Sequence, residues 1–211
     1  MPGETIGFEL IAGLGNPGNE HENDRHNAGF WFVDELARQL GASFSTDKRF
    51  FAATASVFIG HRKVHLVKPM NYMNNSGQGV AAVARFFKIE PTKILVVHDE
   101  LDLDPGVVRL KKGGGHGGHN GLRDIVAKSG SKDFWRLRIG IGHPGHKSAV
   151  SGYVLKRAPA DQQRLIEESI ELALREANVF LNGDVNAAMK VLHSHKPVSY
   201  THLTLPTIYS V

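Results

Sequence analysis

Lys93-Ile94-Leu95-Val96-Val97-His98-Asp99-Glu100-Leu101-Asp102 decides the fold. The unbroken aliphatic run Ile94–Val97 reads as a core strand, and it turns abruptly acidic at its end. His98, Asp99, Glu100 and Asp102 place four acid/base groups at the strand's carboxyl end, the edge at which open α/β sheets bind ligands. An Asp there can accept a bond from a His ring nitrogen, fix its tautomer and raise its basicity. Asp102 and Asp104-Pro105 also suit turn and capping roles, which Asp99 suits less well.

Upstream, Phe8–Leu14 reads as a buried strand ending in a Gly-rich turn. Asn27–Leu40 follows helical spacing, with Phe30, Val33, Leu36, Ala37 and Leu40 on one face and Gly41 just past the end. Phe50–Ile59 and Lys63–Lys68 form a hairpin pattern around Gly60-His61-Arg62. Ser76 is placed to cap a helix running to Phe87, closed by Glu90-Pro91. Downstream come a strand over Gly106–Lys112, a loop with six Gly among residues 113–121, and a short helix over Leu122–Lys128. A strand over Trp135–Ile141, a long amphipathic helix over Pro159–Leu181 and a last helix over Asp184–Leu192 complete the pattern. Strands alternating with helices predict an α/β fold in a single domain: a mixed, mostly parallel twisted sheet with helices on both faces. The domain is expected over residues 1–197. Residues 198–211 lack Asp, Glu, Lys and Arg and are expected to be an appendage of open, including foreign, origin.

The chain of 211 residues is 41% hydrophobic and 22% charged and contains no Cys. These proportions exclude collagen-like, disordered and disulfide-stapled classes. Without Cys there is no thiol nucleophile, thiolate metal site or iron–sulfur cluster. The acidic start, Met1-Pro2-Gly3-Glu4, carries no readable signal peptide, and no apolar stretch approaches the roughly 20 residues that span a bilayer. A cytoplasmic protein without a membrane partner is expected. The net charge of +4 conceals a segregation: residues 1–104 carry 10 basic and 13 acidic residues, 105–157 carry 11 and 2, and 158–211 carry 4 and 6. A local +9 segment favours a polyanionic partner, although a solvated basic face remains open.

Gly13-Leu14-Gly15-Asn16-Pro17-Gly18 satisfies the dinucleotide pattern G-x-G-x-x-G, but its context fails. The acidic stretch after it is not an amphipathic helix, Pro17 removes an amide, and the next strand lacks a ribose-binding acid. Arg25-His26-Asn27 puts a His at the mouth of the first helix. Gly113-Gly114-Gly115-His116-Gly117-Gly118-His119-Asn120-Gly121 lets backbone amides approach a ligand closely, at an entropic cost, and is no Walker loop. His116-x-x-His119 raises a metal reading that His26, His98 and Asp99 could complete only through the fold. In Lys68-Pro69-Met70-Asn71-Tyr72-Met73-Asn74, Tyr72 and Met73 beside Asn74 suggest a base-stacking platform, with core packing the plainer alternative. Arg136 and Arg138 alternate onto one strand face, where they are expected to meet phosphate.

Six of these strings, in order from about Leu10 to about Leu192, resemble the bacterial peptidyl-tRNA hydrolases. They are Gly13–Gly18, Arg25–Gly29, Tyr72–Asn74, His98–Asp102, the Gly113–Gly121 loop and Arg138–Gly145. The resemblance implies a monomeric α/β esterase, free of metal and cofactor, that releases peptide from peptidyl-tRNA so that the tRNA is recycled. By the same resemblance, His26 matches the general base, Asp99 the acid that orients it, and Asn16 the residue that tells blocked from free aminoacyl groups. Asn74 and Asn120 match residues that bind the substrate backbone and 3′ end, with Tyr72, Met73 and His119 beside them. Lys111 and Arg138 match cations that clamp tRNA phosphates near the acceptor end. His21 stands where the family usually has Tyr, and residues after Pro197 have no counterpart. An aminoacyl ester is already activated, so a neutral His and an aligned water suffice; no G-x-S-x-G elbow occurs. Two rivals stay open at this point: a non-catalytic tRNA- or RNA-binding module, and a metallohydrolase using His26, His98, Asp99, His116 and His119.

Overall fold

A computed structural model describes residues 7–198, so the appendage expected over 198–211 lies outside the described residues except for Val198. Among them, seven strands form one sheet: β1 Leu10–Gly13, β2 Ser45–Asp47, β3 Ala52–Ile59, β4 Arg62–Pro69, β5 Ile94–Glu100, β6 Val108–Lys112 and β7 Trp135–Gly140. Their order is β2-β3-β4-β1-β5-β7-β6. The central strands β4, β1, β5 and β7 are parallel, while β2, β3 and β6 join the edges antiparallel. The expected mixed sheet is therefore present, with its parallel part in the middle.

Six helices cover it: α1 Ala28–Gln39, α2 Ser76–Phe86, α3 Asn120–Ser129, α4 Val150–Val154, α5 Ala160–Leu181 and α6 Val185–Ser194. Successive strand residues point to opposite faces, which divides the core in two. Ile11, Leu95, Val97 and Leu137 pack with Phe32, Val33, Ile166, Ala173 and Leu192 from α1, α5 and α6. Leu10, Ala12, Ile94 and Val96 pack with Val80, Val83, Leu122 and Ile125 from α2 and α3. A strand with aliphatic side chains on both faces must be covered on both, which is why Ile94–Val97 shows no alternation.

One local expectation changes, two short elements are added, and the first Gly-rich turn gains a packing role. Ser76 is not the N-cap of α2; Asn75 occupies that position, and the Ser76 hydroxyl, buried inside the first turn, donates to the Met73 carbonyl at 2.8 Å. β2 and α4 carry no periodic signal, being three and five residues long. The first Gly-rich turn serves packing rather than phosphate. A Cβ on Gly29 would lie 2.3 Å from the Val97 carbonyl oxygen and 2.5 Å from Leu14 N, and one on Gly13 would lie 2.4 Å from the Gly29 carbonyl oxygen. The absent side chains let the first turn of α1 rest directly on the ends of β1 and β5. That contact brings residue 26 against residue 99 and residue 27 against residue 16.

Candidate active site

The carboxyl ends of β1, β4 and β5 and the start of α3 converge on one carboxylate. Asp99, only 2% exposed near the end of β5, faces His26 from the single turn of 3-10 helix over Arg25–Asn27. His26 Nδ1 lies 2.9 and 3.0 Å from the two Asp99 oxygens. His119 Nε2 lies 2.9 Å from Asp99 Oδ1. Burial opposes the charge on Asp99, but the charges and hydrogen bonds of the two histidines outweigh it and hold the carboxyl below the usual carboxylate range. With Asp99 ionised and accepting only, His26 Nδ1 must donate, which leaves His26 Nε2 with its lone pair. Burial lowers the His26 pKa, while the Asp99 charge and hydrogen bond, with the Asp24 charge, overcome this and raise it above 6.5. The result is a basic imidazole in a fixed tautomer.

The second histidine is fixed as well. His119 is the N-cap of α3, its Nδ1 accepting from Leu122 N at 3.4 Å, so its Nε2 carries the proton shared with Asp99. Its ring meets His26 at 5.0 Å and His98, edge to face, at 5.0 Å. His98 Nδ1 is 2.7 Å from the Asp99 carbonyl oxygen, to which it donates, and complete burial lowers its pKa to about 3. His98 is thus a neutral packing group, not a second base.

Asn16 is clamped from three sides. Its N–H donates to Asn27 Oδ1 at 2.9 Å, its carbonyl accepts from Asn27 Nδ2 at 3.0 Å, and its Oδ1 accepts from Met73 N at 2.7 Å. The last bond fixes the amide, so Asn16 Nδ2 is the donor presented away from the Met73 backbone. Asn27 is the residue that sequence reasoning missed. It sits in the Arg25-His26-Asn27 string, but only the fold reveals its partner eleven residues upstream. Met73 corrects the stacking-platform expectation, because its side chain is 3% exposed and lies in the core beneath the site. Its backbone N–H is what the site uses. Tyr72 is 60% exposed, with its ring edge-on to His21 at 6.1 Å. His21 Nδ1 is 2.8 Å from Asp24 Oδ2. Asn74 and Asn120 are exposed at the starts of the α2 and α3 segments, and Lys111 is exposed at the end of β6.

The two strand arginines separate. Arg138 Nε donates to Glu100 Oε2 at 2.9 Å and stays partly exposed. Arg136 turns inward, 3% exposed, and its guanidinium donates to the carbonyls of Gly114 and Gly115 rather than facing solvent phosphate. For a metal, His26, Asp99 and His119 do offer three ligand atoms within 4.8 Å of one another. The proton bookkeeping disfavours one: the His119 Nε2 proton can move to Nδ1 only if the Leu122 N–H bond breaks. His116 does not join the cluster; its Nδ1 accepts from Gly118 N at 3.1 Å within the loop.

A buried carboxylate shared by two tautomer-fixed imidazoles leaves His26 Nε2 as an acceptor that can take a proton from a bound water. A sequence profile described as peptidyl-tRNA hydrolase matches residues 10–199. Peptidyl-tRNA hydrolases of Shewanella loihica and Delftia acidovorans are 54% and 52% identical over 190 residues, each match covering 90% of this chain and 97% and 92% of theirs. The crystal structure of peptidyl-tRNA hydrolase from Acinetobacter baumannii superposes with a TM-score of 0.89 at 49% identity, covering 92% of this chain and 98% of that one. A structure of a peptidyl-tRNA hydrolase in complex with n-propanol gives 0.88 at 50% identity, covering 90% and 97%.

Proposed function

Because the chain belongs to the peptidyl-tRNA hydrolase family, we propose that it hydrolyses the ester joining a peptide, or an N-blocked aminoacyl group, to tRNA. The observation that carries this reading is the bond from His26 Nδ1 to Asp99, which leaves Nε2 as an acceptor. In the proposed reaction a water loses its proton to His26 Nε2 as its oxygen attacks the ester carbonyl carbon. Asp99 holds the imidazolium that forms. The Asn16 side-chain amide, with Asn74 and Asn120, positions the water and substrate and stabilises the oxyanion. Collapse breaks the bond to the ribose oxygen, which takes the proton back from His26. The products are a tRNA with its terminal hydroxyl restored and a carboxylic acid, which releases its remaining proton to solvent to become a carboxylate. His119 shares Asp99 with His26 and holds Asn120 in place. Lys111 and Arg138 contact tRNA phosphates, Tyr72 and His21 form the exposed rim that meets substrate, and Met73 contributes through its N–H. The enzyme acts as a cytoplasmic monomer without metal or cofactor. No helix among the described residues is long and apolar enough to cross a membrane.

The test is release of an N-acetyl-aminoacyl group from tRNA. General-base catalysis is worth on the order of 10²–10⁴-fold, and His26→Ala is expected to lose that much turnover while still binding tRNA. Near-normal turnover by the variant excludes His26 as the base. Binding without release by the native protein favours the non-catalytic module. Activity lost on chelation and restored by a divalent ion supports the metallohydrolase.

A further inference from the structure

The Gly-rich loop has almost nothing to pack with. A Cβ added at Gly115, Gly117 or Gly118 would have open space around it, and Gly113, Gly114, Gly117 and Gly118 adopt positive φ. Such a segment has no apolar contacts to fix it and the widest choice of backbone conformations. Yet it leads into His119, which bonds to Asp99, and Asn120, the first residue of α3. Its far end is held by the His119–Asp99 bond and its near end by Gly113 N, which donates to the Phe134 carbonyl at 2.9 Å.

Between those points stands Arg136. Two of its nitrogens donate to the consecutive carbonyls of Gly114 and Gly115, each at 2.5 Å, and the guanidinium lies 4.9 Å from the Phe134 ring centre. Arg136 Nε is buried without a partner, and among the described residues no carboxylate forms a close ion pair with this cation, Glu100 acting on it from a distance while bonded to Arg138. A buried guanidinium without a close ion pair is costly to keep, and only a planar fork of donors reaches two neighbouring carbonyls at once. We propose that Arg136 is a positioning residue: it pins the Gly114–Gly115 backbone and so places His119 and Asn120 for the ester hydrolysis proposed above, on which this inference rests. Arg136 touches no substrate. Lys111, whose ammonium lies against the Gly114 position, and Arg138, one pleat along, are left to face the tRNA.

The experiment compares native protein with Arg136→Lys and Arg136→Met by hydrogen exchange and by turnover of N-acetyl-aminoacyl-tRNA. Amides of residues 113–119 are expected to exchange at least about tenfold faster in Arg136→Met, while those of β5 and α5 do not change. The kcat is expected to fall about 10- to 100-fold with KM moving less than about threefold, and Arg136→Lys to recover part of both effects. The slope of tRNA binding against salt should not change, because no phosphate contact is removed. A slope flattened by about one, with loop exchange unchanged, assigns Arg136 to phosphate and overturns the inference. So does unchanged loop exchange together with unchanged kcat. A uniform rise in exchange across the sheet makes the residue merely structural and also overturns it. Should both variants fail to fold, the native protein still decides: its Arg136 guanidinium protons are expected to be protected and slow to exchange, and free rotation refutes the latch. The exchange readouts stand even if native protein releases no aminoacyl group, so failure of the esterase reading is distinguishable from failure of the latch.

Discussion

Asp99 organises the site because one of its oxygens serves two imidazoles. His26 and His119 both lie 2.9 Å from Oδ1, and each must give it a proton, so neither ring is free to rotate or change tautomer. The base works only when neutral, and its pKa is raised. The sign follows: activity is complete at pH above that raised value and falls as pH drops through it, so the acid limb of kcat/KM should lie above 6.5, the ordinary value for His. Asp99→Asn removes the charge that raises the pKa and leaves burial, which lowers it. The limb should move to lower pH and the plateau should fall; a pH profile of kcat/KM checks both, and an unmoved limb separates Asp99 from the titrating base. Much of this was legible in the sequence, where Asp99 at a core strand's end and His26 at a helix mouth both stood out. The sharing with His119 was not legible. His116 and His119 have the same spacing as a metal pair, and only the folded loop sends one to the carboxylate and leaves the other bonded to Gly118 N.

At the level of elements, the site depends on how closely α1 approaches the sheet. The contacts that a side chain on Gly29 would meet are backbone atoms of Val97 and Leu14, which cannot swing aside. Gly29→Ala must therefore push the helix, and His26 with it, away from β5. Overpacking of this kind costs about 1–3 kcal/mol. Thermal unfolding should show it as a drop of roughly 2–12 °C for a chain of this size, accompanied by lost turnover; a variant with unchanged Tm contradicts the close packing. The long elements were legible from their apolar runs, since burial on one or both faces leaves a pattern. β2 and α4 were not, because three polar residues on an edge and a five-residue helix bury too little to leave one. Arg136 misled for a related reason: strand alternation correctly gives it the same face as Arg138, but not that the Gly loop lies over that face at one residue and stops short of the next.

Across the whole molecule, charge is sorted by the sheet. Residues 105–157, with 11 basic and 2 acidic side chains, build β6, α3, β7 and α4 together with the Gly loop, so the positive excess occupies one end of the strand order. Elsewhere, α1 and α5 enclose a groove of about 750 Å³ whose charged lining is Glu22, Asp34, Glu35, Glu167, Glu171 and Arg175, acidic on balance although Arg38 and Lys68 pair with Glu35 and Asp34. A polyanion is thus guided to one edge and away from the other face. Affinity for tRNA should fall steeply with salt, and Lys111→Ala should lower the slope of log K against log salt by about one; an unchanged slope makes the edge an ordinary solvated surface. The sequence announced the basic segment but not its placement, which depends on strand order.

That same strand order sets a timetable for synthesis. β6 bonds only to β7, yet β7 is made after it and enters the sheet between β5 and β6. While the chain is being made, residues 108–112 have no neighbour to pair with until residues 135–140 have left the ribosome. The loop that follows β6 likewise waits for Arg136. At about 5–20 residues per second this leaves a pause of one to several seconds in which the first five strands can assemble but β6 has no partner. Every nascent copy thus passes through a stage in which its sheet is incomplete while it is itself still a peptide esterified to tRNA.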